Sequence, residues 1–211
     1  MKKQLILIGG GDSYSRREDF LAALKTQPLF DLPSNSSYKS WKGWLAEALE
    51  SEWYVAIPQM PNKQNAQYDE WQIWFERHLA ELRGEVVLVG YSLGAMFLAK
   101  YLSENDFHVT VRALFLLAGP CGTYDDGSGN DCGSFRFDPV LLPKLTEVVS
   151  SITIMHSQDD FVVPYEHALK YKEALPEAEL VTFTDKNHFL VEELPELVDL
   201  IKKYSCVPVR L

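Results

Sequence analysis

Three side chains in this sequence can together turn an alcohol into a nucleophile. Ser92 lies in Gly90-Tyr91-Ser92-Leu93-Gly94, and His188 lies in Thr184-Asp185-Lys186-Asn187-His188-Phe189. Between them in chain order comes the acidic pair Asp159-Asp160. A serine hydroxyl alone is a poor nucleophile at neutral pH. A neutral imidazole must take its proton, and a carboxylate must fix that imidazole's tautomer and stabilise its charged form. The residues therefore admit acyl transfer through Ser92, His188 and one of the two aspartates, with no cofactor. The remaining histidines read as packed or solvated: His78 and His167 fall in helical patterns and His108 in a loop. His156 precedes the acidic pair at a strand end and reads as a satisfied residue near the site.

Elements must bring these groups together. Val86 to Val89 is an unbroken apolar run that suits a strand buried on both faces of a parallel sheet. Ala95, Met96, Phe97, Leu98, Ala99 and Leu102 follow as a helix. A strand–serine–helix turn is so sharp that a Cβ two residues to either side of the serine would clash, which accounts for Gly90 and Gly94. Such a turn aims the N-terminus of the helix at negative charge developing beside Ser92. Further strands are expected at Lys3–Ile8, Trp53–Ile57, Ala113–Ala118, Ile152–His156 and Glu179–Phe183. Helices are expected at Glu18–Thr26 with Phe20, Leu21 and Leu24 inward, at Trp41–Glu50, and from an Asp69 cap to about Leu82. Two more are expected at Tyr165–Ala174 and Glu192–Tyr204. Alternation of strands with helices implies one parallel sheet covered on both faces, an α/β single domain over residues 1–211.

Strand, Gly-x-Ser-x-Gly and helix together resemble the nucleophile elbow of the α/β-hydrolase superfamily, whose chain order of nucleophile, acid and histidine is also the order here. The resemblance implies a three-layer fold with about six strands and no large cap domain. It also selects Asp160 over Asp159, because Asp160-Phe161-Val162-Val163-Pro164 resembles the family's acid loop, in which the residue four before the proline is catalytic. His188-Phe189 resembles the family's His-Phe signature. The oxyanion hole is implied at Leu93 N–H together with Gly10 or Gly11 N–H, from the loop after the first strand. Phe135, Phe137, Leu141 and Leu142 follow the fourth strand, where the family covers its site, and with Tyr91 they are the expected substrate-binding residues. Small size, Trp41-Lys42-Gly43-Trp44 and Met60-Pro61 are similar to the retinoblastoma-binding-type serine hydrolases, over roughly residues 3–10 and 41–204. Residues 12–40 and a Gly/Asp-rich loop depart from that group, and segments 13–40 and 119–143 are lid-like. The expected activity is hydrolysis of a small carboxylic ester. Amide or thioester hydrolysis on the same groups, and a hydrolase-like module that binds a protein, are the alternatives.

Twenty basic and thirty acidic side chains give a formal charge of −10, which argues against nucleic acid or an anionic membrane as a partner. Residues 1–9 have too short an apolar core for a signal peptide, so a cytoplasmic protein with reduced thiols is expected. Cys121, Cys132 and Cys206 have no metal-type spacing, although a Cys121–Cys132 bridge across the loop is conceivable. Gly9-Gly10-Gly11-Asp12-Ser13 matches neither a P-loop nor a dinucleotide fingerprint. The loop holding Asp125, Asp126, Asn130 and Asp131 fails the EF-hand template, since its sixth position from Asp126 is Asp131 and its twelfth is Phe137. It reads as a mobile surface loop without a metal.

Overall fold

The computed structural model describes residues 2–27, 40–105 and 109–204. Six strands form one sheet: β1 (Lys3–Ile8), β2 (Trp53–Ala56), β3 (Glu85–Tyr91), β4 (Thr110–Leu117), β5 (Ile152–Ser157) and β6 (Glu179–Phe183). Their order is β2-β1-β3-β4-β5-β6 and every neighbouring pair is parallel. The order reverses between β1 and β3, so the loops after those two strands meet at the switch point where α/β sheets leave a crevice.

Side chains of successive strand residues point to opposite faces, and two cores result. Ile6, Ile8, Val86, Leu88, Leu114, Leu116 and Ile154 pack against α3 (Tyr68–Leu79), α4 (Leu93–Glu104) and α6 (Glu166–Ala174). Leu5, Leu7, Val87, Val89, Ala113, Phe115, Leu117 and Met155 pack against α2 (Trp41–Leu49) and α7 (Pro195–Lys203). Each fully buried aliphatic side chain contributes on the order of 1.5–3 kcal/mol. A sheet covered twice explains why β3 and β4 read as continuous apolar runs rather than alternating ones. Among the described residues no helix is long and apolar enough to cross a membrane.

α4 is buried nearly all round, with ten of its residues buried. Such a helix needs a cover on the side away from the sheet. Residues 133–145 supply it, through two 3₁₀ stretches (Gly133–Phe135 and Pro139–Lys144) that lead into the short α5 (Leu145–Val148). Phe135 makes edge contacts with Trp71, Tyr68 and Phe97. Lys100 on α4 donates to the carbonyls of Ser134 and Arg136.

The structure corrects several local expectations. In α1 (Arg17–Thr26) Ala23 is the buried residue, while Leu21 and Leu24 point outward with 41% and 51% of their surface exposed. Phe20 is half-buried and packs on Tyr14. A ten-residue helix lying on the rim needs only a small contact face. α3 starts one residue earlier than its expected cap: Gln67 takes the N-cap position, and Asp69 accepts from Glu70 N instead. The Gly/Asp-rich loop is not free-standing. Asn130 Oδ1 and Asp131 Oδ1 accept from Ser13 N and Ser15 N, and Asn130 Nδ2 donates to Asp12. Asp125 and Asp126 close turns onto Gly127 N and Ser128 N, so their oxygens serve the loop itself. Cys121 and Cys132 are separate buried thiols, each pushed by burial up to about 12. Cys206, His108 and residues 28–39 of the lid-like segment lie outside the described residues.

Candidate active site

Ser92 joins β3 to α4 at φ 57° and ψ −125°, a region that costs a non-glycine residue on the order of 1–3 kcal/mol. Packing over-determines it. Ser92 N donates to Leu117 O at 2.9 Å, and Ala95 N returns to Ser92 O at 2.9 Å. A Cβ at Gly94 would stand 2.2 Å from Ile8 O, and one at Gly90 would stand 2.5 Å from Ala95 Cα. Both obstacles are backbone, which cannot swing aside. Gly119, after β4, closes the turn from a third side, since a Cβ there would meet Ala95 Cβ at 2.5 Å.

The oxyanion candidates separate by what they touch. A Cβ on Gly10 would lie 2.9 Å from Ser92 Cβ and 3.3 Å from its Oγ, so the Gly10 backbone runs directly against the serine. Gly11 instead presses on the backbone of Lys63, where a Cβ would fall 2.5 Å from the carbonyl oxygen. Leu93 is the first residue of α4, where an N–H has no acceptor within the helix.

His188 and Asp160 arrive on the loops after β6 and β5. His188 Nε2 lies 3.0 Å from Ser92 Oγ, and its Nδ1 lies 2.8 Å from Asp160 Oδ2. With Nδ1 donating to the carboxylate, Nε2 is the lone-pair nitrogen facing the hydroxyl. Imidazole and carboxylate are buried, whereas Ser92 is half-exposed to whatever enters the crevice. Asp160 Oδ1 accepts from Val162 N at 2.8 Å and Val163 N at 2.9 Å. Burial alone would raise its pKa. Hydrogen bonds from His156, His188 and Val163, with the attraction of His188, reverse that and hold the carboxyl well below the usual carboxylate range.

His156 goes beyond the satisfied residue expected from its position. It is fully buried at the end of β5, and its Nε2 donates to Val163 O at 2.8 Å while standing 3.2 Å from Asp160 Oδ2. Asp160 thus sits between two imidazoles. Its signal in the sequence was a histidine four residues before the acid, at the end of an otherwise apolar strand. Asp159 turns away from His188 and ties the two loops together: its Oδ1 accepts from Ser157 Oγ and from Asn187 N. Ser157 Oγ in turn accepts from Lys186 N. Asn187 and Phe189, on either side of His188, both have positive φ. The Phe189 ring is buried edge-on against Phe183, which anchors that conformation.

Tyr91 is buried beside the site, its ring 5.2 Å from that of His188 and its hydroxyl donating to His188 O at 2.7 Å. The other expected pocket residues are elsewhere. Phe135 and Leu142 have no exposed surface and belong to the core around α4. Phe137 joins the same core, and Leu141 is half-buried in the 3₁₀ stretch. The physical reason is the cover that α4 needs: apolar residues after β4 are spent on that helix. His167 and His78 are packed as expected. His167 accepts from Cys121 N at 2.9 Å, and burial with nearby Lys170 lowers it to about 4. His78 donates to Trp74 O. Among the described residues no group of three or more His, Cys, Asp or Glu is arranged to hold a metal ion.

Known proteins resemble this arrangement. The family model for serine hydrolases matches residues 33–198. Serine hydrolase RBBP9 of Rattus norvegicus is 27% identical over 165 residues, which is 77% of this chain and 84% of that protein. The structure of the ydeN gene product from B. subtilis superposes with a TM-score of 0.75 at 19% identity, over 98% of this chain and 100% of the other. A meta-cleavage product hydrolase from Pseudomonas fluorescens IP01 gives a TM-score of 0.65 at 14% identity, over 96% and 90% of the two chains. These likenesses place the fold among the α/β-hydrolases.

Proposed function

The chain belongs to the serine hydrolase family, and on that premise we propose that it cleaves small carboxylic esters through Ser92, His188 and Asp160. The observation that supports this reading is the continuous hydrogen-bonded line from Asp160 Oδ2 through His188 to Ser92 Oγ. Ser92 Oγ attacks the acyl carbon as His188 Nε2 takes its proton, and the carbonyl π electrons move onto oxygen. The Leu93 N–H and the Gly10 backbone, which borders Ser92, are the groups placed to stabilise that oxyanion. Collapse of the intermediate expels the alkoxide, which leaves with the proton held on His188. Water, deprotonated by the same nitrogen, then releases the acid and restores Ser92. Asp160 remains ionised throughout, as its four donors favour.

A fluorophosphonate followed by digestion and mass spectrometry tests the assignment. The adduct is expected on Ser92, and His188→Ala is expected to slow its formation by about 10³-fold or more. Ester turnover that survives Ser92→Ala in pure protein would rule the reading out.

A further inference from the structure

Lys42 is a cation in a place that physical chemistry disfavours. It occupies the first turn of α2, a turn without an acidic residue, where the helix dipole repels positive charge. Burial, reinforced by the like charge of Lys63, pushes the Lys42 ammonium below its ordinary pKa, and among the described residues no carboxylate counters the shift. The other half-buried lysines among the described residues all have oxygen acceptors. Lys3 meets Glu52, Lys186 meets Glu196, Lys100 reaches two carbonyls and so does Lys172. Among those half-buried lysines, Lys42 alone has no oxygen acceptor among the described residues.

Its position is one aromatic ring away from the catalytic imidazole. The start of α2 docks on the histidine loop, with Trp41 N donating to Val191 O. The Lys42 ammonium then stands 4.8 Å from the centroid of Tyr91, the same ring that lies against His188 and holds its carbonyl. Lys63, the neighbouring cation, belongs to the loop on which Gly11 rests, next to the glycine that borders Ser92. A ring face attracts an ammonium but offers no lone pair for its three donors.

We propose that Lys42 binds an anionic group of the substrate, so that the esters this site accepts carry a free carboxylate. This rests on Ser92 being the nucleophile. A single ammonium is neutralised by one carboxylate, whereas a phosphate dianion calls for several donors such as a guanidinium fork or a nest of N–H groups. The acceptor that would complete Lys42 therefore arrives with the substrate, and the cation's unfavourable setting is relieved only in the complex.

The test uses two fluorophosphonates of equal length, one ending in a carboxylate and the other in its methyl ester. Second-order rates of Ser92 labelling are measured on the native protein, Lys42→Met and Lys42→Arg, with melting temperature as the check on folding. The native protein is expected to react faster with the carboxylate probe. That preference should fall about fivefold or more in Lys42→Met and be retained in Lys42→Arg, as befits a charge-assisted hydrogen bond. No native preference for the carboxylate probe, or a preference that falls by less in Lys42→Met, overturns the inference while leaving Ser92 as nucleophile. The native measurement needs no variant, so a misfolded Lys42→Met cannot shield the idea. If neither probe modifies Ser92, it is the hydrolase mechanism itself that fails.

Discussion

The two sides of this site are built by different physics. On the serine side, Ser92 is held by backbone against backbone: Gly90 and Gly94 are set against Ala95, Ile8 and Gly9, and no side-chain hydrogen bond caps the helix there. On the other side, His188 and Asp160 sit on loops joined by hydrogen bonds to side chains, from Asn187 N to Asp159 and from Lys186 N to Ser157, while His156 supports Asp160 within its own segment. Steric exclusion is short-ranged and steep, so it fixes one geometry from a few adjacent residues. Hydrogen-bonded loops draw on partners far apart in sequence, and each partner contributes a limited amount. The serine side should therefore fail all at once and the histidine side by degrees.

The largest effect tests that contrast directly. Gly94→Ala places a Cβ 2.2 Å from Ile8 O and 2.6 Å from Gly9 O, and β1 would have to move to admit it. Loss of more than about 3 kcal/mol of unfolding free energy is expected, or no folded protein at all. Gly9→Ala is the control, because a Cβ there meets nothing within 4 Å. It should lie within about 0.5 kcal/mol of the native protein in urea unfolding. Equal effects at both glycines would dissolve the distinction between the two sides.

Asp160→Asn ranks next. An amide can keep the acceptor toward Val162 N and Val163 N, but its NH₂ would then face the donors of His188 and His156. His188 must change tautomer, and Nε2 loses the lone pair that faces Ser92. A fall of about 10³-fold or more in kcat/KM is expected with the fold retained. The pH dependence has a definite sign. A carboxyl held below its unfolded pKa contributes stability that is complete above about pH 4 and is lost as pH falls toward the lower native value. The native protein should therefore melt above Asp160→Asn at pH 7, and the gap should narrow below pH 4. A gap independent of pH would mean that the ionised carboxylate is not the stabilising form.

The same contrast explains what could be read from the sequence. All six strands were legible: the inner ones are largely apolar runs buried under cover on both faces, and the edge strands β2 and β6, though partly exposed, are short apolar-rich runs between turn signals. The Ser92 turn was legible too, since its constraints lie within five consecutive residues. Asp159 and Asp160 could not be separated by chemistry alone; only the resemblance to a family's acid loop chose between them. The structure puts Asp160 at His188 and Asp159 at Asn187, through pairings some thirty residues apart. Phe135 and Leu142 were misread as pocket because the demand that α4 makes for a cover is tertiary. Leu21 and Leu24 were misread as inward because a rim helix with one small contact residue resembles a half-buried one.

His156 gives the finest test, because it asks whether the histidine side is graded. It acts on Asp160 through Nε2, which it shares with Val163 O. His156→Phe keeps a flat buried ring but removes that donor, leaving Asp160 with three donors and Val163 O without one. A roughly tenfold fall in kcat is expected, since a hydrogen bond to a charged group is worth about 1.5–3 kcal/mol and part of that is spent on positioning. The carboxylate with one fewer donor holds a neighbouring proton more firmly, so the acid limb of the kcat/KM profile should move to higher pH. His156→Gln, whose Nε2 can occupy the place of the imidazole Nε2–H, should restore both. A purely structural histidine would lower the melting temperature without moving the pH profile. If His156→Phe instead abolishes activity as completely as Asp160→Asn does, the histidine side is as all-or-none as the glycine turn.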